Sequence, residues 1–108
     1  TKPVERDRLT EVLAAVPGVG DIVVVEDDPD QAAIVSRQLS ALGVSSRVFG
    51  DGESALGALS APRAAPPRAL LLALGLPGID GFEVLARLRA ARRWASLPVV
   101  ILTARAPG

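Results

Sequence analysis

The chain has 108 residues, enough for one domain with a real core, and 49% of them are hydrophobic against 22% charged. Lys+Arg and Asp+Glu are both 12, so a net charge of zero points to no polyanionic partner. With neither Cys nor His, the sequence excludes thiol chemistry, disulfides, zinc sites built on N or S ligands, and every His-based triad or general base.

Glu5 to Val16 reads as an amphipathic helix, because Leu9, Val12, Leu13 and Val16 stand at i, i+3, i+4 and i+7. Pro17-Gly18 stops it. Asp21 to Glu26 is a buried strand, β-branched throughout Ile22 to Val25. It runs into Glu26-Asp27-Asp28-Pro29-Asp30. Asp28 before Pro29 is an N-cap with proline at the first helical position, which explains one carboxylate and not the two before it. Like charges at a strand end repel unless a cation lies between them. A first helix follows to Leu42, with Val35, Leu39 and Leu42 inward and Gly43 closing it. Val44 to Phe49 is a second strand, and Asp51-Gly52-Glu53 opens a short second helix. The Ala/Pro/Arg-rich segment from Ser60 to Arg68 is a loop with no assigned function.

Ala69 to Ala73 is an unbroken apolar run too short for a helix, hence a strand buried on both faces. In Gly75-Leu76-Pro77-Gly78, the Pro-Gly pair suits a type II turn with Gly78 at positive φ. A third helix starts near Gly81 behind Asp80 as N-cap, with Phe82, Leu85 and Leu88 on one apolar face, and ends around Arg92-Arg93. With Arg87 and Arg89 that pair makes a basic face, read as solvated. Trp94 covers a sheet edge or a partner site. Leu97-Pro98 leads into a fourth strand, Val99 to Leu102, ending at Thr103-Ala104. No stretch reads as a signal peptide or a membrane span, so a cytoplasmic location without membrane contact is expected.

Two of these segments carry a family resemblance. Leu74 to Leu85 resembles the loop and third helix of a two-component response-regulator receiver domain, and Ile22 to Asp30 resembles its first strand and acidic pocket. In that family the third strand ends in an aspartate that accepts a phosphoryl group, just before a Leu-x-x-Pro loop. Here that position is Ala73, and a methyl group neither attacks phosphorus nor holds a metal. The resemblance implies a doubly wound α/β parallel sheet of flavodoxin-like order 2-1-3-4-5. It also implies a weak or lost Mg²⁺ site at Glu26, Asp27 and the Gly75 carbonyl, with Thr103 and Ala104 as the remnant of the phosphoryl pocket. Thr1-Lys2-Pro3-Val4 is similar to the end of a receiver, where a Lys-Pro pair closes the fifth strand. On that likeness residues 1–20 are the tail of a preceding receiver plus linker, and Lys2 belongs to the pocket remnant. Residues 21–108 are then an incomplete receiver-like domain, lacking the fourth helix, fifth strand and fifth helix, from a tandem-receiver protein or hybrid sensor kinase.

The function expected from this is a pseudo-receiver in phosphorelay signalling, itself no enzyme, that docks a protein partner or neighbouring signalling domain. No direct nucleic-acid contact is expected, and the apolar fourth strand offers an edge for a homodimer. The alternative is a phosphate- or nucleotide-binding domain on the same scaffold. Its support is the Gly-rich stretch Gly75 to Gly81, which lacks both the Gly-x-Gly-x-x-Gly and the P-loop spacing. A third option, Asp80 as a substitute acceptor, competes with its role as helix cap.

Overall fold

In the computed structural model, residues 11, 13, 14, 20–61 and 66–102 are described. Four strands, β1 (Ile22–Val25), β2 (Ser46–Phe49), β3 (Ala69–Ala73) and β4 (Val99–Leu102), form one parallel sheet in the order β2-β1-β3-β4. Three helices connect them: α1 (Pro29–Ala41), α2 (Gly52–Ser60) and α3 (Gly81–Ala90), the last followed by a 3₁₀ turn at Arg92–Trp94. The chain leaves β1 towards β2, then crosses back over β1 to β3. With right-handed crossovers this reversal puts α1 on one face and α2 and α3 on the other.

The strand sequences follow from those positions. β1 and β3 are interior strands, covered on both faces, and every one of their residues is buried. Alternate side chains feed two separate cores. Val23, Val25, Leu70 and Leu72 pack with Ala55 and Leu59 of α2 and Val84 and Leu88 of α3. Ile22, Val24, Ala69 and Leu71 pack with Leu39 of α1. Each fully buried aliphatic side chain contributes about 1.5–3 kcal/mol before entropy is counted, so these two strands dominate the stability of the sheet.

Each helix starts on an aspartate. Asp28 accepts from the backbone N–H of Asp30 (2.9 Å) and Gln31 (3.4 Å), Asp51 from Ser54 N–H (2.7 Å), and Asp80 from Glu83 N–H (2.9 Å). Gly43 takes φ +80° just beyond α1, and Gly78 takes φ +73° in the turn after β3, as the sequence predicts at both places.

Several expectations need correction. β2 begins at Ser46 rather than Val44, and α3 ends at Ala90, the Arg92–Trp94 turn being separate. The buried face of α3 is Gly81, Val84 and Leu88, while Phe82 is 65% exposed. Gly81 sets that phase. A Cβ there would lie 2.5 Å from the Ala73 carbonyl oxygen, so the helix rests its backbone on the end of β3 and residue 82 turns outward. The four arginines of the basic face are exposed, as a solvated face requires, and those of α3 also make specific contacts. Arg89 Nη1 donates to the carbonyls of Trp94, Ala95 and Leu97, and Arg87 pairs with Glu83 at 2.9 Å. Trp94 is buried in the α2/α3 core rather than covering an edge, with the Arg93 guanidinium 4.7 Å from its ring centroid.

Candidate functional site

In an open parallel sheet the crevice for a ligand lies beyond the carboxyl ends of the strands, where the strand order reverses. Here that place is between β1 and β3. Their last paired rung is Val25 with Leu72, so Glu26 and Ala73 are the next residues on neighbouring strands. The sheet thus sets Glu26 beside Ala73, with Asp27 one residue beyond the first and Gly75 two residues beyond the second. Thr103, Ala104 and Lys2 lie outside the described residues.

Glu26 is the electrostatic centre of this crevice. Its backbone N–H extends the ladder to Phe49 O (3.0 Å), which holds the residue at the sheet's end. Its Oε2 accepts from the backbone N–H of Asp28 at 3.1 Å. Burial pushes its pKa above the ordinary 4.5. The Asp28 N–H opposes that rise, while a hydrogen bond with Asp27 and the charges of Asp27 and Asp28 reinforce it. Asp27 is exposed.

On the opposite side, Ala73 is 4% exposed and contributes a methyl group. The loop beyond it folds back on the Leu74 carbonyl, which accepts from both Leu76 N–H and Gly81 N–H at 3.0 Å. Leu76 is buried, while Gly75 is exposed. Asp80 caps α3 through Oδ1, the role the sequence gives it. Octahedral Mg²⁺ seeks six oxygens at short range. Among the described residues no three acidic groups gather closely enough to hold a metal ion, and Glu26 already accepts from Asp28. The residues present are a poor fit for that ion.

Two features of this end escaped the sequence reading. The hydrogen bond from Asp28 N–H to Glu26 joins residues two apart and leaves no periodic signal. Phe82, in the first turn of α3, stands exposed beside the end of β3. The clue to it was Gly81, since a glycine at the start of a helix can mark a close backbone approach.

Residues 22–107 match the family model of the response regulator receiver domain. The transcriptional regulatory protein TcrA of Mycobacterium tuberculosis is 44% identical over 84 residues, which cover 78% of this chain and 31% of TcrA. The chain therefore spans under a third of that relative's length. The crystal structure of the phosphorylated cyanobacterial phytochrome response regulator RcpA superposes with a TM-score of 0.74 at 27% identity, over 83% of this chain and 69% of RcpA. The Thermotoga maritima response regulator TrrA, solved in complex with Mg²⁺-BeF, gives 0.69 at 25% identity, over 82% of this chain and 72% of TrrA.

Proposed function

Because this chain belongs to the response regulator receiver domain family, we propose that it works in two-component signalling as a pseudo-receiver, taking no phosphoryl group at the strand-end position and acting by protein contact. The observation that carries the reading is Ala73, which ends β3 beside Glu26 where the family resemblance places the acceptor aspartate. Phosphoryl transfer to a receiver needs a carboxylate nucleophile, a cation against the phosphoryl oxygens and a donor for the developing charge. A methyl group supplies none of these. What the chain retains is the scaffold and its surfaces. Receiver domains are signalling modules that act on other signalling proteins, and this one is assigned a protein partner or a neighbouring domain in the cytoplasm, as part of a tandem-receiver or hybrid-kinase protein. Among the described residues, no helix is long and apolar enough to cross a membrane.

No observation favours the phosphate- or nucleotide-binding alternative. The described loops after β1 and β3 carry Glu26, Asp27, Asp28 and Asp80 and no Lys or Arg, a charge that repels phosphate.

Intact-mass measurement after incubation with a small-molecule phosphodonor and Mg²⁺ tests the proposal. The mass is expected to stay unchanged, whereas a Mg²⁺-dependent gain of one phosphoryl group would refute it.

A further inference from the structure

The two faces of the sheet are covered unequally. α2 and α3 share one, whereas α1 is the one complete helix among the described elements on the other. Yet Ala69 and Leu71, the β3 residues on the α1 side, are 0% and 1% exposed, as buried as those beneath the two helices. Part of the missing cover is visible. Glu11, Leu13 and Ala14 are helical, and Leu13 packs half-buried against the cluster of Ile22, Val24, Leu39, Ala69 and Leu71. Its neighbours Glu11 and Ala14 are exposed, so the segment presents one side to the sheet. Leu13 belongs to the apolar stripe Leu9, Val12, Leu13 and Val16 of the sequence.

A second contact is polar and does not depend on that burial. In an α-helix the carbonyl of Leu13 would accept from the N–H of residue 17, four positions on. Residue 17 is proline and has no N–H. That carbonyl, without its i+4 donor, accepts from Arg68 Nη2 at 2.9 Å. A cation is favourable against the last carbonyls of a helix, and Arg68 stands immediately before β3. The path into β1 is pinned at the same place. Gly20 adopts φ +118°, and a Cβ there would lie 3.2 Å from Pro66 O and 3.4 Å from Arg68 N, while Arg68 N–H donates to Asp21 O at 2.7 Å.

We propose that the α1 face of the sheet is a helix-binding surface whose occupant is this chain's own opening amphipathic segment, seated by Leu13 and latched by Arg68 on the carbonyl whose i+4 donor Pro17 removes. The inference does not depend on Ala73 or on phosphorylation. It makes the segment before β1 part of this domain's packing, so that a force or partner acting on that segment is felt at β3.

The absence of native cysteine allows a direct test in the full chain. Leu13→Cys and Ala14→Cys are made singly, and their reaction with a thiol reagent is timed, with Trp94 emission from the opposite core checking that the fold is kept. Leu13→Cys is expected to react at least about tenfold more slowly than Ala14→Cys, as a docked segment must open first. Adding Arg68→Met should erase most of that protection, and Arg68→Lys should restore part of it. Equal rates at the two positions would overturn the docking. Protection unaffected by Arg68→Met would overturn the latch. Protection that grows as the protein is concentrated would overturn the cis occupant in favour of the segment of a second copy.

Discussion

Replacing Gly81 by alanine tests how closely α3 is seated on the end of β3. The added methyl would stand 2.5 Å from Ala73 O, 2.9 Å from Leu74 Cα and 3.2 Å from the Ala73 carbonyl carbon. All three are backbone atoms, so no rotamer change relieves the clash and the helix start must lift away. Overpacking of this kind costs about 1–3 kcal/mol. Weakening the 3.0 Å hydrogen bond from Gly81 N–H to Leu74 O adds on the order of 1 kcal/mol. Against this, alanine gains at most about 1 kcal/mol over glycine in helix propensity. The net expectation is a loss of about 1–3 kcal/mol, and for a domain near this size each kcal/mol lowers Tm by roughly 4–8 °C. Gly57→Ala is the matched control. It lies exposed within α2, and a Cβ there meets nothing within 4 Å, so it should stabilise by about 0.5–1 kcal/mol. Thermal melts of both variants and the parent settle the point. If Gly81→Ala melts as high as Gly57→Ala, the close seating of α3 is wrong, and with it the reason Phe82 faces outward.

Ala73→Asp should create Mg²⁺-dependent stabilisation, because it adds a carboxylate beside Glu26 and Asp27. At tenfold above the variant's Kd the gain is about 1.4 kcal/mol, and a melt indifferent to Mg²⁺ would sink the pocket assignment. Glu26→Gln tests the raised pKa. With its folded-state pKa above 4.5, Glu26 binds its proton more tightly folded than unfolded, so its ionisation removes stability as pH rises from about 4.5 through the raised value. Glutamine can still accept from Asp28 N–H, so the variant should melt above the parent at neutral pH and match it in acid; the opposite ordering at neutral pH would show that the charge itself stabilises. Among the described residues strand β4 is half-buried along its length at one end of the strand order, and an apolar edge that nothing else covers pairs. Sedimentation should therefore show association that grows with concentration, and a single monomeric species throughout would count against a homodimer at that edge.

The amino-acid order alone determined the elements whose environment is uniform. A strand covered on both faces must be apolar at every position, so Ile22–Val25 and Ala69–Ala73 were readable within a residue. Caps act within three residues, so Asp28 and Asp80 read as caps from the sequence, and Asp51, which opens α2 there, proves to be one as well. Ala73 as the end of β3 was equally plain, while the strand order came from likeness to a family rather than from periodicity. Tertiary structure decided what depends on groups distant in the chain. The phase of α3 is set by the contact of Gly81 with β3, which periodicity cannot see, because Phe82, Leu85 and Leu88 also fit a helical stripe. Arg89 is exposed, as surface charge should be, but its partners are three carbonyls that only the turn after α3 brings to its guanidinium. The docking of Leu13 divides along the same line. Pro17 fixes by local covalent chemistry that the Leu13 carbonyl lacks its i+4 donor. That the donor is Arg68, 55 positions along the chain, is decided by the parallel sheet, which places the start of β3 beside the entry to β1.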